Sequence, residues 1–287
     1  MPELPEVETV RRGLAAHVEG FSIHKVEIFD KRSLKRNLGS QKGFARELEG
    51  LRLSSFERRG KFLWVPLSDS RTLVTHLGMS GQVLVRNQNS SEDKCERIRL
   101  LVGRGKKSLE VRFIDQRLFG GMYLDDLVTD SSGRNIPSSI THIAPDSLES
   151  TFDLDEVVTT VSRRSAGIKS LLLNQEILSG IGNIYADETL WLTKTHYLSP
   201  GSELSKKKLR GIIETSKTVL LEAVEQGGTS FDEQYKNVNG ESGYFSQSLN
   251  AYGQTGLPCP RCKTPIRREA WSNRGSHFCP RCQRPKR

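Results

Sequence analysis

Cys259-Pro-Arg-Cys262 and, sixteen residues later, Cys279-Pro-Arg-Cys282 form the most constrained stretch of the sequence. Two residues between paired cysteines let both sulfurs of a tight knuckle reach one tetrahedral ion. The sixteen-residue gap suits a hairpin that returns to complete the site. Two disulfides, or four unliganded thiols, are the alternatives. The chain has five cysteines, an odd number, and no apolar export signal opens it, which argues against a disulfide framework. The spacing therefore predicts one structural zinc ion held by Cys259, Cys262, Cys279 and Cys282. Four protein ligands leave no open coordination position, so such an ion supports the fold and takes no part in chemistry. A final segment of about thirty residues has no apolar core of its own and needs a metal to fold. Cys95 has no metal-binding neighbour in sequence and is expected to be packed.

The same tail concentrates the charge. From Cys259 to Arg287 there are nine Lys and Arg and one acid, Glu269, which is +8 of the chain's net +9. Four zinc-bound thiolates remove a net two and leave the tail basic. Such a patch favours phosphate, with an affinity that falls steeply with salt; a solvated, soluble tail is the plain alternative. The 287 residues suffice for two domains. No run approaches the ~20 apolar residues that cross a bilayer. The first residues carry Glu3, Glu6 and Glu8 and no apolar h-region, unlike a secretory signal. A cytoplasmic protein with no membrane partner is expected.

Working back from the tail, the pattern changes character twice. Residues 2–20 read as a helix, with Pro5 in its first turn, Glu6 and Glu8 at the positive end of the dipole, and Val7, Val10 and Leu14 at helical spacing. From about residue 21 to 129 the period shortens. Phe21–Ile28, Lys61–Leu67, Leu73–Leu77, Gln82–Val85 and Leu109–Ile114 are strand-like, with Gly-rich or polar breaks between them. From 151 to 228 the period is helical again, interrupted at Gly180-Ile-Gly182 and Ser199-Pro-Gly201. The predicted class is α+β: an N-terminal antiparallel β-sandwich with a flanking helix, then a helical domain, then a hairpin zinc finger. The expected boundaries are 2–130 for the sandwich, 131–150 for a linker, 151–228 for the helices, 229–257 for a polar loop region and 258–287 for the finger.

The N-terminus has two readings. Met1-Pro2-Glu3 can be no more than a proline-started helix cap. It can also be reactive, because a small residue after Met normally allows the initiator to be removed and Pro2 then carries a free secondary amine. An α-amino group has a pKa near ~8, so part of it is unprotonated at neutral pH. Such an amine forms an imine with a sugar aldehyde carbon, with Glu3 beside it to supply a proton.

Five ordered segments carry a resemblance that spans nearly the whole chain. They are Met1-Pro-Glu-Leu-Pro-Glu-Val-Glu-Thr-Val-Arg-Arg-Gly-Leu14, Gly60-Lys-Phe-Leu63, His76-Leu-Gly-Met-Ser-Gly81, Ser179-Gly-Ile-Gly-Asn-Ile-Tyr-Ala-Asp-Glu188, and the cysteine finger with Arg274. Together they closely resemble the formamidopyrimidine-DNA glycosylases. The related endonuclease VIII branch usually opens differently after Met-Pro-Glu, and Leu4-Pro5 favours the formamidopyrimidine branch.

The resemblance implies a bifunctional glycosylase and AP lyase that excises oxidised purines from duplex DNA. It implies Pro2 as the nucleophile at C1′, Glu3 as the acid for the opening sugar, Lys61 at the phosphate beside the lesion, and Arg274 as the phosphate clamp assisting a second elimination. His76 and Cys95 fall at positions facing DNA. Met79, Arg117 and Phe119 match the residues that fill the void left by a flipped nucleotide. Asn183 matches the phosphate-holding residue of a helix-two-turns-helix element, and Arg164 and Lys169 match basic positions at the DNA face. Glu6 matches a lesion-pocket acid, and Thr229–Tyr244 matches a loop that closes over the flipped base. No obligate protein partner is implied, and a monomer at the nucleoid is expected.

Taken residue by residue, structural readings stand beside these: a buried methionine, a surface ion pair, a core phenylalanine, a Gly-rich turn, a first-turn acid. Two departures weaken the match. Lys94-Cys95-Glu96-Arg97 stands where the family often has Lys-His-Asp-His, and Cys95 is a poor phosphate donor, with Arg97 or Arg99 as substitutes. Gln116-Arg117-Leu118 stands where Pro-Arg-Arg is common. A pyrimidine-directed glycosylase and a non-catalytic, zinc-dependent DNA binder are the competing functions; Pro2-Glu3 with Lys61 argues against the binder.

Overall fold

The computed structural model describes residues 2–229, 238–239 and 245–285. They fall into two units: residues 1–142 with 227–243, and residues 143–226 with 244–287. The α+β class and both of its predicted halves are present.

The first unit opens with helix α1 (Leu4–Val18). Glu3 is its N-cap, Pro5 sits in the first turn, and Val7, Val10, Leu14 and Val18 bury one face. Strand β1 (Ser22–Ile28) follows, then helix α2 (Gln41–Leu48), whose N-cap Ser40 accepts from the Gly43 N–H. Eight strands complete the unit: β2 (Glu57–Arg59), β3 (Phe62–Pro66), β4 (Arg71–His76), β5 (Gly81–Asn87), β6 (Glu96–Arg104), β7 (Lys107–Asp115), β8 (Gly121–Thr129) and β9 (Asn135–Pro137). They form two antiparallel sheets, ordered β1-β6-β7-β5 and β2-β3-β4-β8-β9. The alternate apolar residues of both sheets, such as Leu63, Leu73, Ile98 and Phe113, close a common core with α1 and α2.

The pairing decides what sits at one end of this sandwich. Strand β4 pairs with β8 so that His76 opposes Gly121, and β5 pairs with β7 so that Gly81 opposes Asp115. The chain therefore crosses between sheets twice at the same place, once through residues 77–80 and once through 116–120.

Some expectations fail for physical reasons. Helix α2 lies within the stretch read as strands only; its apolar face is two residues wide, Phe44 and Leu48. Strand β6 was hidden by its charged outer face, although Ile98, Leu100 and Val102 alternate inward. The stretch expected as a linker, 131–150, instead supplies β9 to the second sheet, with Ile136 and Ile140 fully buried.

A charged cluster fastens α1 to the β2–β3 turn. Glu8 takes Arg11 and Arg12 on its own helix at 2.8 and 2.9 Å, and Arg58 of β2 at 3.1 Å. Burial alone would raise the Glu8 pKa, but the Arg11 hydrogen bonds and the Arg58 charge hold it at about 2, below the ordinary 4.5. A carboxylate with a depressed folded pKa stabilises above its unfolded value and loses that contribution as the pH falls toward the folded one. Denaturant midpoints should thus fall between about pH 4.5 and 2, and Glu8→Gln should flatten that part of the profile. An unchanged slope in the variant would remove Glu8 from the acid sensitivity.

The second unit holds α3 (Leu154–Ser162), α4 (Ile168–Leu173), α5 (Asn183–Leu192) and α6 (Lys206–Glu225). Strands β10 (Arg267–Trp271) and β11 (Arg274–Phe278) make a hairpin. Its turn is Ser272-Asn273, both at positive φ (45° and 59°), as a two-residue hairpin turn with right-handed twist requires. Helix α6 packs Leu209, Ile212, Ile213, Val219 and Leu220 inward, against α3 and α5. Among the described residues, no helix is long and apolar enough to cross a membrane.

Candidate active site and nucleic-acid interface

In the first unit the N-terminal residues are enclosed. Pro2 is buried and Glu3 is 2% exposed. Glu3 and Glu6 form a reciprocal capping box, the Glu3 N–H donating to Glu6 Oε2 at 2.8 Å. The other Glu6 oxygen accepts from the Thr229 N–H at 2.8 Å and from its hydroxyl at 2.9 Å. Glu6 thus acts as a first-turn acid and also anchors the start of the 229–244 segment. Apart from Thr229, Val238 and Asn239, that expected closing loop lies outside the described residues.

Lys61 occupies the two-residue turn between β2 and β3, after Gly60 at φ 54°. His76 ends β4 directly opposite Phe62, and their rings lie 4.9 Å apart. Burial, with the charges of Arg36, Lys61 and Lys35, lowers the His76 pKa from 6.5 to about 4. Its Nδ1 accepts from the Gly78 N–H at 3.1 Å, which assigns the proton of the neutral ring to Nε2. A neutral histidine among cations is a hydrogen-bond donor waiting for an anion. A phosphate placed there offsets the repulsion and raises the pKa, so binding takes up a proton. Duplex affinity should therefore strengthen as the pH falls from 7 toward 5 by more than it does in His76→Gln. Identical pH dependences in the two proteins would exclude proton uptake at His76 on DNA binding.

The two crossovers present Met79, Arg117 and Phe119. Met79 is 38% and Phe119 46% exposed, and the Arg117 guanidinium lies 5.1 Å from the Phe119 ring centre. None of the three is a core residue. Cys95, expected to be packed, is exposed and sits at φ 60°. The two arginines considered as its substitutes are engaged: Arg97 donates to the Asp115 carbonyl at 2.8 Å, and Arg99 to Glu96 at 2.7 Å.

In the second unit, Arg274 is exposed and follows the hairpin turn directly. The Gly275 carbonyl that follows it accepts from Asn183 Nδ2 at 3.0 Å and Lys169 Nζ at 3.1 Å. Lys169, expected at the DNA face, is wholly buried instead. It pairs with Asp187 at 2.7 Å and donates to Ser276 Oγ at 2.8 Å, because a buried ammonium needs a counter-charge and acceptors. Asp187 Oδ2 also accepts the His277 N–H at 2.8 Å. Helices α4 and α5 thereby pin the strand that carries Arg274. Arg164 is exposed in the turn before α4.

The four finger cysteines fit a zinc ion. Their sulfurs all lie within 4.8 Å of one another, with Cys262 to Cys279 at 3.4 Å. Four sulfurs at ~2.3 Å from a tetrahedral ion stand ~3.8 Å apart. Among the described residues, the buried apolar residues clustered with them are Trp191, Ala251 and Ile266, a small core for a metal-free knuckle.

Comparison with known proteins agrees with this layout. Family models described as the formamidopyrimidine-DNA glycosylase N-terminal domain, the formamidopyrimidine-DNA glycosylase H2TH domain and a zinc finger found in FPG and IleRS match residues 1–122, 143–234 and 256–285. The chain belongs to the formamidopyrimidine-DNA glycosylase family. A formamidopyrimidine-DNA glycosylase of Nocardioides sp. is 48% identical over 99% of this chain and 94% of its own length. The structure of Lactococcus lactis Fpg with DNA containing an abasic site has a TM-score of 0.83 at 29% identity, covering 98% of this chain and 99% of that one. A MutM complex with DNA containing carbocyclic 8-oxo-G also reaches 0.83 at 29% identity, covering 99% and 100%. The protein is accordingly a DNA glycosylase with one structural zinc ion.

Within this family frame, sequence reasoning missed two buried acids of the Ser179–Glu188 motif. Asp187 is the counter-ion of Lys169. Glu188 accepts the N–H groups of Asn250, Ala251 and Tyr252 at 2.8–2.9 Å and so holds the approach to the finger. The signal was present: two adjacent acids, Asp187-Glu188, in a helix whose neighbours are apolar.

Proposed function

We propose that this glycosylase is bifunctional, excising oxidised purines, 8-oxoguanine and formamidopyrimidines, from duplex DNA and cleaving the strand afterwards. The observation that carries the reading is the enclosed pair Pro2-Glu3 at the head of α1, in the same unit as the Lys61 turn.

The chemistry follows from these groups. The lesion is everted, because its C1′ is unreachable inside the stack. The Pro2 nitrogen lone pair attacks C1′, the bond from C1′ to the base breaks, and the proton that the Pro2 nitrogen loses balances the one that the departing base takes up. Glu3 protonates the ring oxygen as the sugar opens, and the C1′–N bond becomes an iminium. Loss of a C2′ proton then expels the 3′ phosphate, a second elimination expels the 5′ phosphate, and water hydrolyses the iminium, which frees the Pro2 amine, releases the sugar remnant and leaves a one-nucleotide gap. Lys61 and Arg274 neutralise the phosphates that leave. His76, Asn183 and Arg164 contribute phosphate contacts, and Met79, Arg117 and Phe119 fill the void. Cys95 adds little, and Lys169 acts through the hairpin. The protein works as a monomer on chromosomal DNA in the cytoplasm.

Incubation with an 8-oxoguanine:C duplex and borohydride should give a covalent adduct that maps to Pro2. A thymine glycol duplex trapped in preference would move the substrate class to oxidised pyrimidines. No adduct with either duplex, despite tight binding and an intact Pro2 amine, would leave a non-catalytic binder. Arg274→Ala should slow the second elimination and weaken duplex binding while leaving the melting temperature near wild type. Unchanged cleavage products would count against its role.

A further inference from the structure

The two crossovers that carry Met79, Arg117 and Phe119 are joined by one buried side-chain pair. The Ser80 hydroxyl donates to Asp115 Oδ1 at 2.5 Å. The Arg117 N–H donates to Ser80 Oγ and to Asp115 Oδ1, both at 3.1 Å. The Gly120 N–H donates to Asp115 Oδ2 at 2.8 Å. Asp115 is fully buried and Ser80 nearly so. Both oxygens of the carboxylate are therefore used to hold residues of the crossovers that carry the three exposed side chains.

The backbones of the two crossovers also touch. A Cβ on Gly78, itself at φ 65°, would lie 2.4 Å from the Gly120 nitrogen, and one on Gly120 would lie 2.6 Å from the His76 carbonyl oxygen. Leu118 is held in the left-handed region at φ 57°, a conformation that persists only where its surroundings over-determine it. The clasp holds the backbone on both sides of Leu118, at Arg117 and at Gly120.

We infer that Ser80 and Asp115 are positioning residues that lock Met79, Arg117 and Phe119 into one rigid wedge for lesion eversion. The inference rests on the void-filling reading of those three residues. A wedge driven into a base stack does work only if it does not yield, and side chains on independently moving loops would be pushed aside. An amide in place of the carboxylate offers one acceptor oxygen where two are in use, so Asp115→Asn breaks the clasp without changing its size. Ser80→Ala removes the side-chain link between the crossovers and leaves their backbone contact.

Two reactions separate positioning from general damage. Excision of 8-oxoguanine from a duplex requires a stacked base to be displaced, whereas borohydride trapping at a preformed abasic site does not. In single-turnover assays Ser80→Ala should slow base excision about tenfold, the cost of losing a hydrogen bond to a charged group, and leave abasic trapping unchanged. In a background that lacks all three wedge side chains (Met79→Ala, Arg117→Ala and Phe119→Ala), Ser80→Ala should add nothing, because the elements it positions are gone. If Asp115→Asn does not fold, Ser80→Ala carries the test alone. Wild-type excision by Ser80→Ala while Phe119→Ala is slow would overturn the clasp. So would equal slowing of both reactions, which marks a general loss of structure. If Phe119→Ala, Met79→Ala and Arg117→Ala all excise at the wild-type rate, the void-filling reading itself fails and the clasp falls with it.

Discussion

Protein that retains Met1, or whose Pro2 nitrogen has been acetylated, will excise oxidised bases and cleave abasic sites at least about 1000-fold more slowly than processed protein, the scale seen when a covalent nucleophile is removed. The reason is electronic. An amide nitrogen shares its lone pair with the carbonyl and cannot attack C1′, whereas a free secondary amine with a pKa near ~8 is partly unprotonated at neutral pH. The loss should be confined to chemistry. Pro2 and Glu3 form the cap of α1, and the Glu3–Glu6 capping box uses the Glu3 nitrogen, not that of Pro2. The helix and its anchor to Thr229 therefore have no need of a free terminus. Intact-mass measurement would establish the N-terminal state, and trapping and duplex binding would then be compared on the same sample. An acetylated protein that still forms a borohydride adduct, mapped to a lysine, would transfer the nucleophile away from Pro2.

Removal of zinc is the second large effect. Verified metal-free protein, or Cys262→Ser, should bind duplex about 100-fold more weakly or worse, since the free energy of metal binding is the folding free energy of such a site. The cluster around the four cysteines holds three buried apolar residues, Trp191, Ala251 and Ile266, a small core for a metal-free knuckle. Without the hairpin, the contacts of Lys169 and Asn183 with the Gly275 carbonyl disappear, and Arg274 loses its fixed position. The buried Lys169–Asp187 pair opens to water at the same time. The sandwich keeps its own core between two sheets, so its unfolding transition should persist. Circular dichroism and binding at one fixed salt concentration would follow both effects. Metal-free protein with wild-type affinity would take the finger out of DNA binding.

Much of this was legible locally. Two cysteine pairs at fixed spacing specify a zinc knuckle because metal geometry depends on a few adjacent residues. Val7, Val10 and Leu14 specify α1 by their helical period, and short apolar runs between polar or Gly-rich breaks specify β3, β4, β5 and β7, because both signals are local. Strand β6 escaped because the charged residues of its outer face masked an alternation of Ile98, Leu100 and Val102, and helix α2 because it is short.

Tertiary structure decided what local periodicity cannot encode. The fate of Lys169 depends on Asp187 and on a carbonyl 106 residues away; a lysine with no such partner would stay in solvent, and with one it is fully buried. Met79 meets the loop of Arg117 and Phe119 only because β4 pairs with β8 and β5 with β7. Residue type and spacing announce a metal site or a helix face. They do not announce which distant strands pair, and it is that pairing, through Ser80 and Asp115, that gathers three separate side chains at one end of the sandwich.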